Sequence, residues 1–302
     1  MQLISKQDIK HKLNENHYSK ATIGVYLSWI GRFIKYHGIE FKQYNIQHIP
    51  EYLASLESKN LKFSTYNQSI NAIAFFYNKI LRLPVNKPFI ASLRLPHSAK
   101  LPDTLTKDQI NSIVYHLKGY YQLLVYLLYG CGLRSSEVLN LKVKDIDQVN
   151  NQLTVSNDKY FRVLPIPIKI HGQLKKQLAF VAEIHNKDIT NKFFHGDQFE
   201  NCYLFPMKQL CSNSEGRLIR LPIISNTLNY NIMAATNKAN IPFKVTAQTF
   251  RHSYAVRLLQ NQIDLKTVQK LLGHKNASST LIYTHIAQNI SQKKCLSPLD
   301  LE

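Results

Sequence analysis

Acidic side chains are scarce in this 302-residue chain: 19 Asp and Glu stand against 38 Lys and Arg, leaving a formal charge of +19 and a pI near 9.7. A surplus of that size points to a polyanion as partner, nucleic acid first and an anionic membrane surface second. A purely compositional origin, the Lys-, Asn- and Ile-rich codon usage of an AT-rich genome, stands beside that reading. The basic residues are spread along the whole chain rather than gathered in a tail, which suits a folded surface tracking a duplex better than a disordered arm. Cysteine is scarce as well. Cys131, Cys202, Cys211 and Cys295 are too few and too scattered for a disulfide framework, and no CxxC pair exists. No zinc site is therefore indicated, and a reduced, cytosolic setting is expected. No run approaches the ~18 apolar residues of a membrane span, and Met1-Gln-Leu-Ile-Ser-Lys6 lacks the apolar core of a secretory signal. There is no internal repeat, no low-complexity tract, no P-loop and no carboxylate-rich metal cluster.

What is present is enough for two domains, with 44% hydrophobic residues to build their cores. Residues 15–83 read as amphipathic helices. Tyr26, Trp29, Ile30, Phe33 and Ile34 share one helical side, and Tyr66, Ile70, Ile73, Ala74, Tyr77, Ile80 and Leu81 recur at threes and fours on another. Thr65 and Gln68 form a capping-box pattern at the start of the latter. Both stripes read as core rather than function. Leu83-Pro84 stops the helix, and residues 84–103 hold four of the chain's 11 prolines. An N-terminal domain at 1–90, a linker at 91–103 and a second domain at 104–287 follow, with a tail at 288–302. The second domain opens on another capping-box pattern, Thr106 to Gln109. It continues with an apolar helix at 120–129, two strands around a turn at 157–158, and a short buried strand at 203–206. Helices fill about 223–240, 249–261, 264–273 and 276–285. The expected class is mainly α with one small β-sheet. Residues 185–222 are the least regular and read as an insert, at minimum a variable surface loop.

The chemistry-bearing pattern is near the C-terminus: Gln248-Thr-Phe-Arg251-His252, then Leu271-Leu-Gly273-His274, then Tyr283-Thr-His285. A second arginine lies far upstream in Tyr129-Gly-Cys-Gly-Leu-Arg134-Ser-Ser-Glu137. Taken singly, each residue has a bland reading: Arg134 a surface ion pair, His274 a helix cap, Tyr283 one of 17 tyrosines. Taken together they suit phosphoryl transfer. Two guanidinium forks can each donate two parallel hydrogen bonds to a phosphate, and a tyrosine nearby can attack phosphorus and hold the product covalently. Glu137 reads as the residue that orients Arg134. His252 and His285 read as structural, with His252 facing elsewhere on its helix.

These motifs resemble the tyrosine recombinase (phage integrase) family, and most closely its integron integrase branch. The resemblance runs from Tyr18-Ser-Lys-Ala-Thr-Ile-Gly-Val-Tyr26 through Phe75-Phe-Tyr77 and both arginine boxes to Ser297-Pro-Leu-Asp300. It implies a two-domain, C-shaped DNA clamp with a helical, SAM-like core-binding domain and a catalytic domain. It also implies cleavage and rejoining of DNA through a 3′-phosphotyrosyl link on Tyr283, with Arg134, Arg251 and His274 on the phosphate. Bond energy is stored in that link, so no metal, ATP or other cofactor is called for. The implied partners are double-stranded recombination sites, folded single-stranded sites for the integron branch, and three further copies of the chain in a tetramer on DNA; no membrane is involved. The family places a lysine on the turn between the two strands, where it protonates the leaving 5′ oxygen. Lys159 is the lysine in that turn, although the turn is short and lacks the usual glycines. Two further departures stand out. Gln248 sits where the family places histidine, less often lysine or another polar residue, and an amide donates a hydrogen bond but carries no charge and shuttles no proton. In the insert, Asn191-Lys-Phe-Phe194 and Leu221-Pro222 replace the family's base-recognising run and double histidine. A phage- or Xer-type recombinase, or a DNA-binding homologue that has lost strand transfer, remain the alternatives.

Overall fold

The computed structural model describes residues 5–38, 40, 43–59, 61–95, 102–157, 160–196, 198–274, 278–281 and 283. The chain divides into two compact units, Met1–Ala99 and Lys100–Glu302. Lys159, residues 96–101 of the expected linker, and the tail at 288–302 lie outside the described residues.

The first unit is helical: α1 (Lys6–Glu15), α2 (Lys20–His37), α3 (His48–Glu57), α4 (Phe63–Phe75) and α5 (Lys87–Ser92). Side chains close the helix starts. Ser5 and Asp8 form a capping box, and Ser19 accepts from the Thr22 N–H at 3.2 Å. Helix α2 ends on Gly38 in the left-handed region, φ +60°. Trp29, Ile30 and Phe33 turn inward from α2, and Tyr66, Ile70 and Ile73 from α4. Phe33 sits edge-on to Tyr52, Phe76 and Tyr77, an aromatic arrangement that contributes beyond the area it buries. One expectation shifts: α4 begins at Phe63 behind Lys62, so Thr65 lies inside the first turn and caps nothing. The helix then widens into a π-helical turn at Phe76–Leu81 and stops at Arg82, φ +56°, before the proline.

The second unit opens with α6 (Lys107–His116), capped by Thr106 and Gln109. Next comes α7 (Tyr120–Gly130), whose seven buried residues include Leu123, Leu124, Leu127 and Leu128, as an all-round apolar helix must be. A short α8 (Ser135–Leu139) leads into an antiparallel sheet ordered β1 (Ile146–Asp147), β2 (Gln152–Asn157), β3 (Tyr160–Pro165). Register pairs Leu153 with Leu164 and Val155 with Arg162, so Arg162 shares the buried face with the core residues. Helix α9 (His171–Ile189) was not anticipated, although Leu174, Leu178 and Val181 make a helical stripe. Beyond it a second, two-stranded ribbon pairs β4 (Cys211–Ser212) with β5 (Leu218–Ile219), so the described residues form two small sheets within the expected mainly α fold. Residues 203–206 do not form a full strand; Tyr203 and Pro206 make isolated bridges to Lys142 and Pro222. The insert is more ordered than a bare loop. Buried Asp188 receives the Arg220 Nε at 2.7 Å, and Arg220 Nη1 donates to the Met207 and Lys208 carbonyls. Helices α10 (Ser225–Lys238), α11 (Ala247–Gln260), α12 (Leu265–Leu272) and α13 (Ser278–Leu281) complete the unit, with α11 packed on α7. No helix among the described residues is long and apolar enough to cross a membrane.

Candidate active site

The site grows from the turn that joins α7 to α8. Gly132 sits at φ +60°, and a Cβ there would fall 2.4 Å from the Tyr254 ring of α11, so glycine is required both for the backbone and for the close approach. Two residues on, Arg134 caps α8. Its backbone N–H donates to Glu137 Oε2 at 2.8 Å and its Nη1 to Oε1 at 2.7 Å. Glu137 is therefore the hub. Arg162, from the buried face of β3, grips the same carboxylate with both prongs, Nη1 to Oε1 at 3.0 Å and Nη2 to Oε2 at 2.8 Å. Arg251 Nη1 faces it at 3.7 Å. Burial alone would raise the Glu137 pKa. The hydrogen bonds from Arg162 and Arg134, together with the Arg162 charge, override that and hold it at about 2.

Arg251 is only 1% exposed. Its Nη1 donates to the Gly132 carbonyl at 2.5 Å and its Nη2 to the Leu272 carbonyl at 2.6 Å. Arg134 Nη2 reaches the next carbonyl, Gly273, at 3.3 Å. Two arginines from distant parts of the chain thus anchor on consecutive carbonyls, immediately before His274. Gly273 ends α12 at φ +62°, and a Cβ on it would meet Arg162 Nη1 at 2.8 Å. Burial pulls the Arg251 pKa to about 10, followed in weight by repulsion from Arg134, and leaves the guanidinium charged at neutral pH. His274 is half-buried, with Nδ1 2.8 Å from Thr280 Oγ1. Burial first, then Arg251, Arg134 and Arg162, push it down to about 4, so its imidazole is neutral at pH 7.

Tyr283 is also 1% exposed. Its hydroxyl is hydrogen-bonded to His252 Nδ1, with ring centroids 5.8 Å apart. Burial pushes the phenol up to about 12, and burial, then Arg251, pulls His252 down. His252 therefore does not face away from the site, as the sequence reading had it. Positions 248 and 252 are one full turn apart and share a helix face. Gln248 itself is exposed on the first turn of α11.

The structure brings Arg134, Arg251, His274 and Tyr283 into one electrostatic neighbourhood, since the charges of the two arginines act on His274 and that of Arg251 on Tyr283. Gln248 lies one turn before Arg251 with its side chain in solvent. Lys159 belongs to the undescribed turn between β2 and β3. Arg162 and His252 are the residues that motif reading left out of the site. For His252 the spacing to Gln248 was a usable signal. For Arg162 the signal was weak: a charged residue alternating with Leu164 on the inward side of a strand.

In charge terms, three guanidiniums share one carboxylate around a neutral imidazole. The surplus positive potential is fixed before any anion arrives, which is the form of preorganisation that favours charge building up on phosphorus. The Arg134 side chain is 32% exposed against 2% for Arg251, so an incoming oxyanion meets Arg134 first.

The chain is similar to known proteins along most of its length. A model of the phage integrase family matches residues 103–289, and one of the phage integrase N-terminal SAM-like domain matches residues 6–87. An Escherichia coli protein named integrase/recombinase is 29% identical over 312 aligned positions, covering 97% of this chain and 92% of its own length. Tyrosine recombinase XerC of Bacillus pumilus is 26% identical, covering 94% and 92%. Among solved structures, the XerH site-specific recombinase bound to its difH substrate superposes with a TM-score of 0.65 at 21% identity, covering 94% of this chain and 82% of that one.

Proposed function

The chain belongs to the phage integrase family, the tyrosine recombinases, and on that premise we propose that it cuts and rejoins DNA at specific sites through a phosphotyrosyl intermediate on Tyr283. The observation that carries this reading is the anchoring of Arg134 and Arg251 on the consecutive carbonyls of Gly273 and Leu272, beside His274. Donors so placed suit the non-bridging oxygens of a scissile phosphate. The Tyr283 oxygen forms its bond to phosphorus as the bond to the 5′ oxygen breaks. The 3′ end stays on the protein and a 5′ hydroxyl is set free. Attack by a 5′ hydroxyl from the partner strand reverses the step. Lys159 is the proposed proton donor to the leaving oxygen, and Gln248 a neutral donor to the phosphate. Both units contribute DNA contacts in this reading, and the +19 charge supports them. Strand exchange joins four half-sites, so the working form is a tetramer on DNA, with the 288–302 segment docking on a neighbouring copy.

Within the family we favour integron-type cassette integration and excision over a phage- or Xer-type role. The supporting observation is the 185–222 insert, tied down by Arg220 on Asp188 while Phe193 stays 72% exposed, a ring available to stack on a base of a folded single-stranded site.

A nicked duplex, selected for binding from a randomised pool, tests the chemistry. Wild type should form a denaturant-resistant protein–DNA adduct, and Tyr283→Phe should form none while retarding the duplex equally, because only the nucleophilic oxygen is lost. Adducts at wild-type level in the Phe variant move the nucleophile elsewhere, and retardation without any adduct from wild type places the chain among DNA-binding proteins.

A further inference from the structure

His252 contacts the atom that has to attack. Its Nδ1 is hydrogen-bonded to the Tyr283 hydroxyl, and no other side chain among the described residues makes a hydrogen bond to that oxygen. Both partners are largely withdrawn from water, so solvent is poorly placed to collect the phenolic proton. The phenol, pushed up to about 12, is a weak nucleophile at neutral pH unless its proton has somewhere to go. The other nearby groups among the described residues do not offer that. Gln248 is an amide. His274 turns its Nδ1 to Thr280 Oγ1. Arg251 already carries its proton and gives its hydrogen bonds to carbonyls. His252, kept neutral by burial and by the Arg251 charge, offers a lone pair on Nδ1 in the tautomer that carries its proton on Nε2.

Resting on the strand-transfer reading above, we infer that His252 is the catalytic base, taking the Tyr283 hydroxyl proton on Nδ1 as the phenolic oxygen attacks phosphorus. The balance is closed. The Oη–P bond forms, the P–O5′ bond breaks, and its electron pair leaves with the 5′ oxygen. That oxygen is protonated by a separate acid, a lysine ammonium such as Lys159 or a water molecule. His252 finishes as imidazolium. Rejoining runs each transfer backwards, so a complete cycle consumes no base and no acid. The same geometry gives His252 a second duty, holding the phenol in one orientation before DNA arrives. The titratable or charged groups around it among the described residues are Arg251 on its own helix, Tyr283, and His274, which feels the His252 charge.

Single-turnover cleavage of the same nicked duplex by the full chain separates the base from a mere support. His252→Asn keeps a hydrogen-bond acceptor near the position of Nδ1 but takes no proton. It should bind the duplex like wild type and cleave about 10²- to 10⁴-fold more slowly at pH 7. Its rate should then climb roughly tenfold per pH unit as Tyr283 begins to ionise unaided, whereas the wild-type rate is level above neutrality. His252→Ala should be accelerated by added imidazole, read per bound complex so that the amount of folded variant does not matter. An Asn variant within about threefold of wild type overturns the inference. So does loss by one constant factor at every pH with no response of the Ala variant to imidazole, which leaves His252 a support only. Absence of adduct from wild type is a different failure, that of the strand-transfer reading itself.

Discussion

The two halves of the site are built on opposite principles. On the phosphate side, Glu137 takes hydrogen bonds from Arg134 and Arg162 and faces Arg251, while Arg134 and Arg251 are tied again to the Gly273 and Leu272 carbonyls. Arg134 and Arg251 are each fixed by two or more partners, and Arg162 holds Glu137 with both prongs. On the nucleophile side, the Tyr283 hydroxyl has a single side-chain partner among the described residues, His252. The difference follows from what each half must do. Charge that stabilises a transition state is worth most when it need not reorganise, so redundancy helps. A nucleophile must give up its hydrogen bond to react, so one exchangeable partner suffices. Cutting one tie on the redundant side should therefore weaken the site by degrees, except at the hub where all ties meet.

Glu137→Gln attacks that hub and should have the largest effect. It leaves three guanidiniums around a neutral amide, two of them at most 7% exposed in their side chains. Breaking a buried pair of this kind costs about 3–5 kcal/mol, which for a unit of this size lowers the melting temperature by roughly 10 °C. Cleavage should fall below detection while non-specific retardation of DNA persists. Acid melting sharpens the point. The Glu137 carboxyl is held at about 2 against an ordinary 4.5, so its stabilisation is complete above pH 4.5 and is lost as pH falls toward 2. His274 acts in a higher window. Held at about 4 against an ordinary 6.5, it binds its proton more readily when unfolded, so stability already declines between pH 6.5 and 4. Glu137→Gln should remove the lower step and keep the upper one. A variant that melts like wild type at pH 7 contradicts the hub.

Arg162→Lys is the graded case. The charge stays, but a single ammonium cannot grip both carboxylate oxygens. Glu137 then leans more heavily on Arg134, whose guanidinium is drawn toward it and away from an incoming phosphate. Cleavage should slow by about 10- to 100-fold, roughly 1.4–2.7 kcal/mol of transition-state stabilisation, with the dissociation constant for DNA little changed. Equal losses in both would make Arg162 part of the general phosphate grip instead.

Where the fold and site were legible in the sequence, local chemistry decided the matter. The α6 capping box, the apolar α7 and the stripes of α2 and α4 follow from residues within a turn or two of each other. Arg134, Arg251, His274 and Tyr283 are candidates that the motifs alone point to, and the structure places them together. The misses are residues whose role depends on distant partners. Arg162 is explained only by Glu137, 25 positions earlier, and the ordering of the insert only by Arg220 reaching 32 positions back to Asp188. The two-stranded ribbon at 211–219 is too short to show a period. His252 is the exception: its spacing from Gln248 put it on the site's face, and taking it for a residue on the other side was an error of helical geometry.

Gln248, exposed on the first turn of α11, should give the smallest effect, in the opposite direction. It lies one turn before Arg251 and makes no side-chain hydrogen bond among the described residues. A histidine there adds a donor that can be charged against the phosphate, and charge-assisted hydrogen bonds are roughly twice as strong as neutral ones. Burial first and then the arginine charges push His274 down, and the arginine part acts on any imidazole close by. Position 248 is open to solvent, which screens that repulsion, and a bound phosphate offsets it further. Gln248→His should accordingly raise single-turnover cleavage about tenfold, on the order of 1.4 kcal/mol, with little change in DNA affinity. The gain should be larger at pH 6 than at pH 8, since only the imidazolium carries the extra charge. In an Arg162→Lys background it should shrink, because a loosened Arg134 no longer holds the phosphate where position 248 can reach it. A histidine variant no faster than wild type at either pH would mean that side chain 248 stays in solvent throughout the reaction, and that the phosphate side is complete with Arg134, Arg251 and His274.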